Sequence, residues 1–322
     1  GGHWSWWGGW SGLPPKNVSL YLGSTIASGS SFQDINGDWS FVSNGQADFV
    51  SSAGDVDGDG LSDVLFGSEH AHASSIGSGG AYLFLAGDVF ALNQGLQSNL
   101  DSSRASRFVG SHWSYLSKLG TTLASLGDLD GDGRAEVVVA GPEDYDPGGA
   151  LFYRGADLLQ GGTLGDAHQL SLMGERFGDI AGSSLANAGD VDGDGLNDLL
   201  IGAPYNDEGG DDAGKAYLIL GSRLAIGNSI QLNTAHASFI GEASDDHSGA
   251  SIASAGDVDG DGLSDILIGA SGNDEGGQDA GKTYLFLGST IAAGGSFALA
   301  AADAVLVGAG TQYFSGASVA SA

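Results

Sequence analysis

Asp55, Asp57, Asp59 and Asp63 occupy positions 1, 3, 5 and 9 of a nine-residue segment preceded by Gly54, and the template returns three times, after Gly127, Gly189 and Gly256. The later copies place acids at Asp128, Asp130, Asp132 and Glu136, at Asp190, Asp192, Asp194 and Asp198, and at Asp257, Asp259, Asp261 and Asp265. In a tight loop alternate side chains point inward, so the first three carboxylates of each copy converge. A glycine at position 6 permits the sharp turn. The residue at position 7 (Leu61, Arg134, Leu196 or Leu263) adds its main-chain carbonyl, and the last acid returns from the start of the next strand. Hard oxygen donors in a flexible cage of this size suit Ca2+, about four ions in all. Mg2+ demands tighter octahedral geometry, and softer metals prefer His or Cys.

The loop admits two other readings. An EF-hand requires an acid at position 12, where this chain has Phe66, Val139, Ile201 and Ile268, and it requires flanking helices. Asp-Gly clusters also make ordinary hairpin turns. Four copies with every ligand position filled argue against that. Glu136 is a departure that a longer side chain can still accommodate.

The elements that must carry these loops are short strands. Each loop runs into an apolar stretch such as 198–204, then an acidic, Gly-rich turn, a second stretch such as 216–221, a weaker strand such as 237–240, and a lead-in strand such as 250–255. The first aspartates are spaced by 73, 62 and 67 residues, and no long helical periodicity intervenes. The expected fold is all-β: a β-propeller of four-stranded antiparallel blades, with four complete repeats plus partial blades at both ends. A β-solenoid is the alternative, but its repeats are usually much shorter.

Residues 21–27 recur almost unchanged at 286–292, an offset of 265, and residues 315–322 match 248–255. The sequence therefore opens at the third strand of one blade and stops before a metal loop. It reads as an excerpt of a longer polypeptide; the alternative joins both ends into one shared blade. Residues 1–15, with Trp4, Trp6, Trp7 and Trp10 among glycines, form a tail or linker, and 16–322 form the propeller. The tryptophans either anchor a partner or pack on the propeller.

Composition narrows the partners. With 40 acidic and 10 basic residues in 322, the formal charge is −30, which disfavours nucleic acid and anionic membranes. Cysteine is absent, excluding disulfides and thiolate metal sites, and no apolar run is long enough for a membrane span. Gly contributes 58 residues without a collagen triplet, so it punctuates strands.

Phe177-Gly178, the loop from Asp190 to Asp198 and the run Ile201-Gly202-Ala203-Pro204 resemble the FG-GAP repeats of the integrin α-subunit propeller. The first pair degenerates to Phe49-Val50, Tyr115-Leu116, His247-Ser248-Gly249 and Phe314-Ser315-Gly316. The second survives as Gly141-Pro142, Gly269-Ala270-Ser271 and Gly67-Ser68. The resemblance implies a propeller, usually of seven blades, with calcium loops on one face and protein ligands often on the other. It also implies a cell-surface or extracellular location. Four complete units are fewer than seven, in keeping with an excerpt.

Strand connectivity puts the segments 206–212, 273–279 and 143–147 on the face opposite the acidic loops, together with 112–115 and 245–247. They form either an acidic rim for a basic partner or cations, or solvated hairpin tips. His70 and His72 read as surface decoration, and Asp34 to Asp38 as a turn that only mimics the metal loop. The expected function is a non-enzymatic extracellular module for adhesion or assembly, whose partner is another protein, a surface component or the chain itself. One alternative is the propeller domain of a secreted polysaccharide lyase or phospholipase, but no cationic groove or Ser-His-Asp or Cys-His grouping stands out. The other is a structural subunit of a surface layer or filament.

Overall fold

The computed structural model describes residues 49–68, 80–86, 118–142, 147–159, 170–227 and 229–320, and the backbone of short strands at 18–20, 39–41 and 106–109. The tryptophans at 4, 6, 7 and 10, the turn at 34–38, His70, His72 and the segments 112–115 and 143–146 lie outside the described residues.

Strands β1 (Val18–Leu20) and β2 (Trp39–Phe41) pair antiparallel with each other. The first complete blade is β3 (Phe49–Gly54), β4 (Asp63–Ser68), β5 (Gly80–Phe84) and β6 (Ser106–Val109). The second is β7 (Thr122–Gly127), β8 (Glu136–Ala140), β9 (Gly149–Tyr153) and β10 (Leu170–Met173). The third is β11 (Ser184–Gly189), β12 (Asp198–Ala203), β13 (Lys215–Ile219) and, after a two-residue strand β14 (Ile230–Gln231), β15 (Ala237–Ile240). The fourth is β16 (Ser248–Gly256), β17 (Asp265–Ala270), β18 (Lys282–Phe286) and, after β19 (Gly295–Ala298), β20 (Ala304–Val307). Within each blade consecutive strands pair antiparallel, the arrangement of a β-propeller. The β1–β2 pair repeats the register of β18–β20 at the 265-residue offset: Val18 opposes Phe41 as Thr283 opposes Leu306.

The third-to-fourth connection holds more than a turn. It opens with one helical turn, α1 (Gly155–Leu158), α2 (Gly221–Ala225) or α3 (Gly288–Ile291). In two cases it then lays a strand parallel to the outer strand of the preceding blade: β14 on β10 and β19 on β15. Two sheets thereby become five-stranded and mixed, where four antiparallel strands were expected.

The core lies between the blades. One buried cluster joins blades one and two (Leu65 and Leu83 with Val137 and Val139), another joins two and three (Val138 and Phe152 with Ile201 and Tyr217), and a third joins three and four (Leu200 and Phe239 with Ile268 and Phe286). The second strands β8 and β12 are buried on both faces because a neighbouring sheet covers each side, so they read as continuous apolar runs. Small residues let the sheets approach. A Cβ on Gly202 would stand 2.0 Å from the Gly249 carbonyl oxygen of the next blade, and one on Gly269 would stand 2.0 Å from that of Gly316. Hydroxyls fix the same contacts: Thr122 donates to Gly182 O, Ser184 to Gly249 O and Ser251 to Gly316 O, at 2.6, 2.7 and 2.6 Å.

Candidate metal centre

Each acidic loop is positioned by a bulge at its base. The ladder between first and second strands slips between Ser52 and Gly54, Ser125 and Gly127, Asn187 and Gly189, and Ser254 and Gly256. The glycine takes a φ of 70–76° in all four, a conformation that costs other residues energy. It sits directly opposite the position 9 acid: Asp63, Glu136, Asp198 or Asp265. The bulge therefore returns the last carboxylate beneath the other three.

Within the loop the position 1 carboxylate organises the backbone. Asp190 Oδ1 accepts from the amides of Gly193 (2.7 Å) and Asp194 (3.1 Å), and its Oδ2 accepts from Gly195 (2.9 Å). Asp55, Asp128 and Asp257 make the same three bonds. The acids at positions 3 and 5 accept from amides two residues on, Asp192 from Asp194 and Asp194 from Leu196. Side-chain oxygens of Asp55, Asp57 and Asp63 lie within 4.8 Å of one another, as do those of Asp128, Asp130 and Glu136, and those of Asp190, Asp192 and Asp194.

The position 9 carboxylate is buried and has two further partners. Asp198 Oδ2 accepts from Val191 N at 2.9 Å, and its Oδ1 accepts from Gly221 N, the first residue of α2, at 2.9 Å. Asp265 joins Val258 to Gly288 of α3 in the same way, and Glu136 joins Leu129 to Gly155 of α1. Burial pushes Asp198 up to about 7 against these amide bonds, with Asp192 and Asp194 adding repulsion. Burial likewise pushes Glu136 up to about 7, helped by Asp130 and Asp128, and raises Asp63. An all-oxygen donor set whose own charges repel is the chemistry a hard divalent cation relieves, so the residues fit such an ion.

Loop two differs at its edge. Arg154 Nε lies 3.5 Å from Asp130, and Arg134, at position 7, reaches its neighbour Asp132 at 3.3 Å. The Arg154 contact was invisible in the sequence because it joins a loop to the end of a third strand.

The opposite face carries a second recurring set. Lys215, on β13, contacts Glu175 beyond the end of β10 at 2.8 Å and Glu208 of its own hairpin at 2.6 Å. Lys282 contacts Glu242 (3.1 Å) and Glu275 (2.6 Å) one blade on. Each ammonium lies over a tyrosine ring, 4.9 Å from Tyr217 or 5.0 Å from Tyr284. Beside them Asn206 donates to buried Asp179 at 2.7 Å, and Asn273 donates to buried Asp246 at 2.9 Å. Side-chain atoms of Asp212, Asp245 and His247 also gather within 4.8 Å. The mark these pairs leave in the sequence is a glutamate 40 residues before each lysine.

A scan against family models finds the FG-GAP repeat at residues 181–219 and 248–286. Both matches begin at a bridge residue: Ala181, just ahead of β11, pairs with Gly148, and Ser248, the first residue of β16, pairs with Gly214. Phe177 lies outside the match and is 73% exposed. The residue-level assignment of Phe177-Gly178 is corrected accordingly: the recurring glycine is Gly182, equivalent to Gly249 and Gly316, each at positive φ against the backbone of the third strand.

Among known proteins the chain is 33% identical to integrin alpha-4 of Xenopus laevis over 48% of its own length and 14% of that protein's. It is 28% identical to integrin alpha pat-2 of Caenorhabditis briggsae over 70% of this chain and 18% of that one. It is 34% identical to human integrin alpha-11 over 49% and 13%. The matched stretches thus span under a fifth of these relatives. Among the described residues no helix is long and apolar enough to cross a membrane. With its repeated loop, its blades and these matches, the chain is a β-propeller that carries FG-GAP repeats at 181–219 and 248–286 and is similar in sequence to integrin alpha subunits.

Proposed function

We propose that residues 16–322 form a non-enzymatic, extracellular propeller module that binds four Ca2+ ions and mediates adhesion or assembly with a protein partner. The observation that carries this reading is the fourfold recurrence of one loop geometry, in a chain whose relatives are integrin alpha subunits.

The ions would be held by Asp55, Asp57, Asp59 and Asp63 with the Leu61 carbonyl, and by the equivalent sets ending at Glu136, Asp198 and Asp265. When bound, the ion supplies the positive charge that lets four carboxylates stay ionised together and ties the loop to the start of the second strand. Millimolar calcium outside the cell would fill such sites. The opposite face, with exposed Tyr205, Asp207, Asp211 and Asp245 at the junction of blades three and four, is the surface offered to the partner.

Calorimetric titration with calcium, paired with melting in calcium and in EGTA, tests the reading. Four equivalents and a higher melting temperature in calcium are expected. A chain that binds none and melts alike in both would overturn it.

A further inference from the structure

Neighbouring acidic loops touch, and they do so in two different ways. The main-chain carbonyl of Asp55, at position 1 of loop one, accepts from the amide of Ala135, at position 8 of loop two, at 2.7 Å. The carbonyl of Asp190 in loop three accepts from the amide of Ser264 in loop four, again positions 1 and 8, at 2.8 Å. Between loops two and three that bond is missing among the described residues: nothing joins the Asp128 carbonyl to the Asn197 amide. That junction is held by side chains from further back. Asn197 Nδ2 donates to Leu126 O at 2.9 Å, and Asn187 Nδ2 donates to Ser125 O at 3.0 Å.

The space around the position 4 glycines tells the same story independently. A Cβ on Gly58 would meet Gly133 O of loop two at 3.4 Å, and one on Gly193 would meet the Leu263 side chain of loop four at 3.1 Å. One on Gly131 would meet nothing within 4 Å. The cause is legible at position 8, which is Ala135 or Ser264 where loops touch through backbone and Asn197 where they do not. The longer amide fills the gap between the sheets.

From this geometry we infer that the four loops work as two coupled pairs, one with two and three with four, with the Asn197 junction separating them. The inference rests on the calcium reading above. A cation drawn to the Asp190 carboxylate fixes that residue's peptide. The carbonyl of that peptide holds the Ser264 amide, and the next residue is Asp265, the position 9 ligand of loop four. Ordering one loop therefore lowers the conformational cost of ordering its partner, which is positive coupling. Charge neutralisation acts in the opposite direction at all three junctions, so the contrast between junctions isolates the backbone link.

The test compares two doubly substituted chains. D55N with D128N leaves loops three and four, a linked pair; D55N with D257N leaves loops two and three, the Asn197 junction. Asparagine keeps the size of each side chain and one acceptor oxygen. Native mass spectrometry across a calcium titration reads the singly loaded species. A coupling of about fivefold, the order of one hydrogen bond, cuts that species at the midpoint to about 30% for loops three and four, against about half for loops two and three.

Equal singly loaded fractions in the two chains, with two ions bound by each, would overturn the pairing while leaving calcium binding intact. No binding by either chain overturns the calcium reading itself. If a substituted chain does not fold, amide resonances of the loop glycines in the unaltered protein serve instead. Hill slopes of about 1.4 in each loop are expected, and slopes of 1.0 throughout would overturn the pairing.

Discussion

Lys215 reaches across from the third strand of one blade to Glu175, which follows the fourth strand of the blade before it, and the contact is 2.8 Å. Its side chain is only 5% exposed and Glu175 only 14%, so the bond is an internal pin between two sheets rather than a surface pair. Lys282 and Glu242 repeat it at 3.1 Å at the next junction. The inter-blade core is apolar and non-directional, so these pins, together with the Asn206–Asp179 and Asn273–Asp246 bonds beside them, help fix how one sheet sits over the next on this face.

Lys215→Ala should therefore cost roughly 3 kcal/mol, because it strands the Glu175 charge without its cation in a largely buried site. Adding Glu175→Gln should restore part of the loss, since no unpaired charge then remains there. Glu208 is 45% exposed and its pairing is screened by water, so Glu208→Gln should cost well under half as much. Urea unfolding of the three variants checks the order; equal losses for Lys215→Ala and Glu208→Gln would contradict it.

Close approach of the sheets makes a second prediction. Gly202→Ala would drive a methyl group to 2.0 Å from a backbone oxygen of the next blade, where neither side can yield. A loss of about 3 kcal/mol is expected. Gly195→Ala, at φ 88° with open space around it, carries only the left-handed backbone penalty of about 1 kcal/mol. Thermal unfolding in calcium separates the two.

The repeated loop and the strands on either side of it were legible because chemistry and pattern coincide there. Aspartates at alternate positions, a glycine turn and a buried second strand all leave marks within a dozen residues. The parallel strands β14 and β19 left none: at two and four residues they are too short for a period, and what orders them is the outer edge of a preceding blade. The pins at Lys215 and Lys282 were hidden for the same reason, since their partners lie 40 residues back in another sheet. Phe177-Gly178 misled because an aromatic-glycine pair four residues ahead of the structural glycine, Gly182, looks more distinctive than the Ala181-Gly182 pair that makes the turn.

The buried acids beside the pins give a pH dependence. Burial raises the Asp246 carboxyl above its ordinary range, against the hydrogen bond from Asn273, and Asp179 is raised likewise against Asn206. A raised pKa means the fold favours the protonated acid. The corresponding stability is fully present below the unfolded value near 4 and is lost as pH rises through the folded value. Asp246→Asn mimics the protonated form and keeps an acceptor for Asn273. It should raise the melting temperature at pH 7 and leave it unchanged at pH 3.5. A variant that is destabilised at pH 7 would show that the ionised form is the one the site prefers.

The final prediction concerns the acidic loops one at a time. Every ligand proposed for a loop comes from that loop, while the link to its neighbour is a backbone bond that substitution of a side chain leaves in place. Asp190→Ala should therefore remove one ion of the four and weaken, without abolishing, the binding at loop four. At calcium one hundredfold above the dissociation constant each filled site adds about 2.7 kcal/mol, so the variant should lose close to that in calcium. In EGTA it should lose far less, because without an ion the Asp190 carboxylate repels those of Asp192 and Asp194, and its removal relieves that repulsion. Differential scanning calorimetry of the two proteins in both buffers makes the comparison. A loss of equal size in calcium and in EGTA would mean that Asp190 acts through its three amide hydrogen bonds alone, and would set the cation aside as the reason for its presence.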